Sequence, residues 1–148
     1  MATLHILCGL PCTGKTTLAL RLERELPALR LCPDEWMSRI VGDGYDAARR
    51  KAVNAVQLDL AIQVLRLGSD VVLESGFWWR AEREDARSKA RSAGAETQLH
   101  FLDAPLAELQ RRVVARNAVL PPDTFAVTPE DLAAWYDRIE RPDAAELD

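Results

Sequence analysis

The stretch TLHILCGLPCTGKTT, Thr3 to Thr17, limits what this chain can fold into more than any other. An apolar run ends at Gly9-x-x-x-x-Gly14-Lys15-Thr16, and helix-spaced residues follow. Glycines at the two ends of such a turn let the backbone close until its N–H groups surround an anion, and the next helix adds its positive end. The pattern is a phosphate-binding loop set where its mechanism requires, between a buried strand and a helix. Its expected nucleotide contacts are Gly9, Leu10, Pro11, Cys12, Thr13, Gly14, Lys15, Thr16 and Thr17. Lys15 would reach the β- and γ-phosphates of ATP and the Thr16 hydroxyl would hold Mg²⁺, while Cys12 reads as an inert spacer.

Strand and helix signals alternate through the rest of the chain, the pattern that builds a parallel sheet covered on both faces. Strands are expected at 3–8, 28–32, 70–75 and 97–103, and a fifth near the C-terminus is left open. Helices are expected from Gly14 to about Leu26, from Pro33 through Ile40, and from Asp46 to Gly68. In the last of these Val53, Val56, Leu60, Val64 and Leu67 recur at helical spacing. A charged, exposed helix is expected from Arg80 to Ala93, another from Pro105, and a last one from Thr128-Pro129-Glu130-Asp131, a cap followed by a helix-starting proline and acids.

At 148 residues the chain reads as one domain over 1–148. Its 19 basic and 23 acidic residues give a formal charge of -4, which argues against long nucleic acid as a partner. No apolar run approaches the length of a membrane span, and the first basic residue is Lys15, so a cytoplasmic location is expected. Three cysteines without CxxC spacing point to reduced thiols. His5 and His100 fall inside strands without a partner motif and read as packing residues. Trp36, Trp78 and Trp79 follow the C-terminal ends of expected strands, where open α/β sheets bind ligands, so they compete between pocket and core.

With this loop near the start of a short chain, the sequence resembles the small P-loop kinases, among them polynucleotide kinase, chloramphenicol phosphotransferase, zeta toxin, gluconate and adenylate kinases. It is most similar to a group of AAA-like ATP-binding kinases that share PDEW after strand two and GFW after strand three. The resemblance implies a P-loop α/β/α sandwich with strand order 2-3-1-4, and transfer of the ATP γ-phosphate to a hydroxyl of a small-molecule or nucleoside-like acceptor. It makes Asp34 of LCPDEW the group that takes the acceptor's proton, with capping of the next helix as the competing role. The segment VVLESGFWWR resembles LDGFPR of adenylate kinase, which maps Glu74 to the metal and Arg80 to the acceptor, with Trp36 and Trp78 as candidate acceptor walls. LQRRVVARNAVLPPD resembles a lid over about 112–127, whose Arg112 and Arg116 would close on the phosphates, whereas Arg111 reads as a solvated basic face. Two alternatives stay open: an ATP-binding switch or slow NTPase working through a protein partner, and a kinase acting on a 5′ polynucleotide end. The acceptor and the oligomeric state are not specified by the sequence.

Overall fold

The computed structural model describes residues 1–147. At its centre lies β1 (Thr3–Cys8), buried at every position but Thr3. It pairs in parallel with β3 (Asp70–Gly76) on one side and β4 (Glu96–Phe101) on the other, and β2 (Ala28–Leu31) extends the sheet beyond β3. The order is β2-β3-β1-β4. Strands flanked on both sides and covered on both faces must be apolar at successive positions, which is why LHILC and VVL run unbroken instead of alternating.

One face of the sheet, carrying Leu7 and Val72, packs on Ala19 and Leu22 of α1 (Lys15–Glu25). Leu4, Ile6 and Leu73 on the opposite face join the main core, to which α3 (Ala47–Arg66) gives Ala61, Ile62 and Leu65 and α4 (Arg80–Ser92) gives Ala86 and Ala90. Between β2 and α3 lies α2 (Pro33–Trp36), continued by a π-helical turn over Met37–Val41. α5 (Leu106–Val119) and α6 (Pro129–Arg138) complete the domain, Thr128 capping α6 by accepting from the Asp131 N–H at 3.0 Å. The Asp46 carboxylate caps α3 in the same way, from Arg49 N–H at 3.0 Å. Both caps fall where the sequence places them.

Two expectations need correction, and the open question of a fifth strand is answered. The buried stripe of α3 is Gln57, Ala61, Ile62 and Leu65, whereas Val56 and Leu67 are exposed. This helix has apolar residues around most of its circumference, so periodicity alone does not choose the inward face. α4 is not simply a solvated helix, because Arg83 is wholly buried on its inner side. Its guanidinium donates to Phe77 O at 2.8 Å and, through Nε and Nη2, to both Glu146 oxygens at 2.9 and 3.0 Å. Among the described residues no strand follows Arg138. The tail instead crosses back over the end of β3, Glu140 N–H donating to Trp78 O at 2.9 Å and Glu146 gripping Arg83 and Arg87.

The two histidines meet on neighbouring strands. His5 Nδ1 lies 3.0 Å from His100 Nε2 with the rings stacked, and burial holds both below the ordinary histidine pKa. They pack, as expected.

Candidate active site

The chain leaves β1 into the phosphate-binding loop, and the loop's geometry explains its glycines. A Cβ on Gly9 would stand 2.7 Å from Thr13 Oγ1 and 2.8 Å from Leu102 O, so this position admits no side chain. Gly14 has φ +97°, a left-handed conformation, and α1 begins at the next residue. Thr13 Oγ1 donates to Leu10 O at 2.7 Å and closes the turn from within, while the Leu10 side chain is buried in the core and leaves only its backbone to the loop. Cys12 takes a left-handed φ of 66°, and its carbonyl accepts from Arg112 Nη1 at 3.0 Å.

Lys15 Nζ donates to Gly9 O at 2.8 Å and Leu10 O at 2.9 Å, so the ammonium lies across the mouth of the loop. Burial pulls its pKa below the ordinary lysine value, against the attraction of Glu74 and Asp34. Thr16 Oγ1 donates to Glu74 Oε1, bringing the two expected metal residues into contact although they are 58 positions apart. The other Glu74 oxygen accepts from Arg30 Nε at 2.9 Å, and Arg30 also pairs with Glu35. Glu74 is thus a buried carboxylate at the end of β3, aimed at the start of α1 and held by Arg30.

A cavity of about 810 Å³ opens over this loop, within the size of small-molecule sites. Strand order divides it. On the β4 side of β1, α5 supplies Arg112 and Arg116, both in the cavity wall. Arg112 is tethered to Cys12 O and Glu108, and Arg116 Nε is buried without a partner among the described residues. Arg111 is exposed and pairs with Glu108. α5 runs unbroken to Val119, so these arginines ride on a rigid helix and only the segment after it is loop.

On the β2 and β3 side, Asp34 and Trp78 line the cavity from the ends of their strands. Asp34 Oδ1 pairs with Arg50 Nη1 at 2.8 Å, and Arg50 is fixed in turn by donating Nε and Nη2 to Gly44 O at 3.1 and 2.8 Å. Trp78 Nε1 donates to Gly9 O at 3.0 Å, which fastens the segment after β3 to the phosphate loop. Two expected acceptor residues stand elsewhere. Arg80, on the first turn of α4, pairs with Glu84 and Asp143 at 2.9 and 3.2 Å and takes no part in the cavity wall. Trp36 packs against the main core, because the turn that points Asp34 to the cavity directs the residue two positions later elsewhere.

Four cavity residues have no signal in the sequence. Arg50 sits in the run AARRK, which reads as a solvated helix start. Tyr45 and Phe125 meet only in the folded chain: the Tyr45 hydroxyl donates to Ala126 O, and the Phe125 ring lies where a Cβ on Gly44 would be. Trp135 comes in from α6 to pack at 5.3 Å between ring centroids from Trp78.

The model of the AAA domain family matches residues 4–142. No curated protein matches the sequence. Among solved structures, a protein of Chloroflexus aurantiacus j-10-fl classed as a kinase aligns with TM-score 0.76 and 23% identity, over 93% of this chain and 80% of its own. The Mycobacterium tuberculosis APS kinase CysC, in complex with AMPPNP and APS, gives TM-score 0.61 and 22% identity over 95% of this chain and 83% of its own. Chaetomium thermophilum Kti12, in complex with ADP-AlF3, gives 0.66 and 18% over 96% and 82%. At these identities the likeness is one of fold, and the order β2-β3-β1-β4 behind an N-terminal phosphate loop is what it rests on. With the family model covering nearly all of its length, the chain belongs to the AAA domain family and has the fold of the P-loop kinases.

Proposed function

We propose that this protein is an ATP-dependent kinase that transfers the γ-phosphate to an alcohol hydroxyl of a small acceptor, in a single domain whose 120–127 loop works with α5 as a lid. The observation that carries the reading is the position of Asp34. It is a carboxylate in the wall of the same cavity as Lys15, on the opposite side of β1 from Arg112 and Arg116. Nucleotide held by the loop and the α5 arginines would present its terminal phosphate toward that carboxylate.

The acceptor oxygen then attacks the γ-phosphorus, the bond to the bridging oxygen breaks, ADP leaves, and the hydroxyl proton passes to Asp34. Arg50 occupies Oδ1 of Asp34, so Oδ2 is the oxygen that meets the acceptor. Lys15 and Arg116 neutralise charge on the transferring group, where fixed donors act most strongly. The donor set also fits a hard divalent cation: Thr16 and Glu74 offer a hydroxyl and a carboxylate side by side, and Mg²⁺ held there would neutralise the phosphates.

Asp34→Asn tests the reading. Asp34 is not the expected cap, since α2 begins behind Cys32 without a side-chain capping bond; asparagine keeps its size but cannot take the proton, so melting temperature and nucleotide affinity should be kept while acceptor phosphorylation falls by roughly 10² to 10⁴. Phosphate added to pooled hydroxyl metabolites and oligonucleotides, detected by mass, supplies the assay. A fully active Asp34→Asn protein leaves the residue as no more than the partner of Arg50 and removes the carboxylate from the mechanism.

A further inference from the structure

Resting on that reading for its nucleotide, we infer that Trp78 is a positioning residue of the phosphate loop, and that the tail over 139–146 acts on nucleotide affinity through it. Lys15 Nζ bonds two loop carbonyls, Gly9 O at 2.8 Å and Leu10 O at 2.9 Å. Each of these carbonyls has a second donor: Trp78 Nε1 lies 3.0 Å from Gly9 O, and Thr13 Oγ1 lies 2.7 Å from Leu10 O. An ammonium that turns toward a phosphate must give up such bonds, and a carbonyl left bare in a buried loop is costly. The two second donors remove that cost. Thr13 belongs to the loop itself, whereas Trp78 follows β3, so its place is set from outside the loop.

Four bonds set it. Gly76 and Phe77 both have left-handed φ, 88° and 49°, a conformation that a phenylalanine keeps only where its surroundings hold it. Phe77 O accepts from Arg83 Nη1 at 2.8 Å and from Cys8 Sγ at 3.2 Å. Trp78 O accepts from Glu140 N–H at 2.9 Å, and Gly9 N–H donates back to Gly76 O at 2.9 Å. Behind Arg83 stands Glu146, whose two oxygens hold the guanidinium through Nε and Nη2. Glu140 and Glu146 thus clamp the turn from the tail, and neither is among the described residues that line the cavity.

The test measures binding of AMPPNP, and separately of inorganic tripolyphosphate, each with Mg²⁺, to the full chain by calorimetry, well below the unfolding transition of each variant. Trp78→Phe keeps an aromatic ring against Trp135 and loses the N–H. It should weaken both ligands by roughly three- to tenfold, the effect of one hydrogen bond. Glu146→Gln should weaken them in the same direction, and the double variant no more than the worse single one, since both act on Gly9 O. Wild type supplies a measurement that needs no variant, because coupling is reciprocal: saturating AMPPNP should slow amide exchange over 140–147 several-fold. Those results support the positioning role. Unchanged affinity in folded Trp78→Phe, a loss confined to AMPPNP, losses that add, or tail exchange indifferent to AMPPNP each overturns it. Wild type that binds AMPPNP and transfers no phosphate refutes the kinase reading and leaves this role standing.

Discussion

Glu146→Gln should cost this protein about 3 kcal/mol at neutral pH. The Glu146 side chain is only 3% exposed, it accepts from Arg83 Nε and Nη2 at 2.9 and 3.0 Å and from Arg87 Nη2 at 3.0 Å, and the Arg83 side chain is wholly buried. Those bonds, Arg83's first, hold the carboxyl at about 2 instead of 4.5. A depression of that size corresponds to the quoted energy, and breaking a buried pair by removing one charge has a similar cost of about 3 to 5 kcal/mol. Glutamine keeps the shape but leaves the Arg83 guanidinium without a counter-charge. For a chain of this length the loss amounts to roughly 10 °C in Tm.

The sign with pH follows from the direction of the shift. A depressed carboxyl stabilises fully above its unfolded pKa, and that stability is lost as pH falls toward the folded value. Wild type and Glu146→Gln should therefore differ most above pH 4.5 and converge as pH approaches about 2. Urea unfolding followed by far-UV circular dichroism at several pH values measures this. A difference below about 1 kcal/mol at pH 7, the range of an exposed pair, would refute the argument, as would a difference that stays constant down to pH 3.

Lys15→Ala should lower phosphate transfer by at least roughly 10² with native circular dichroism, since its ammonium lies on the loop carbonyls and supports no core contact; normal turnover would displace it from the site. Gly44→Ala pushes a Cβ into the Phe125 ring, a clash of about 1 to 3 kcal/mol that the 120–127 loop can relieve by moving; several-fold faster protease cleavage in that loop is expected, and an unchanged rate would count against the packing. Burial holds both His5 and His100 below 6.5, against the attraction of Asp70 in the case of His5, while the nearby His5 and Arg21 lower His100 further. Stability should therefore fall as pH drops below about 6.5, and the double variant His5→Val, His100→Gln should lose that slope; parallel urea midpoints from pH 7.5 to 5.5 would exclude the pair as its source.

The sequence by itself determined the strands, the phosphate loop and the caps, because each depends on residues near one another in the chain. Apolar residues in succession make a strand buried on both faces, Gly9 and Gly14 admit a turn that few other residues can make, and Asp46 and Thr128 bond N–H groups three positions on. Thr16 and Glu74 were legible separately, and the parallel pairing of β1 with β3 brings them into contact. The rest of the cavity wall was decided only in three dimensions. Arg50 becomes Asp34's partner because α3 runs back past the end of β2, and the aromatic wall forms because the loop after α5 lands on Gly44 and α6 lands on Trp78. Arg80 and Arg83 make the same point within one turn of helix: both are arginines on α4, one in solvent with Glu84 and Asp143, the other sealed on Glu146. Which of them is buried depends on where the tail crosses the helix. That is a contact between residues some sixty positions apart, and no local spacing encodes it.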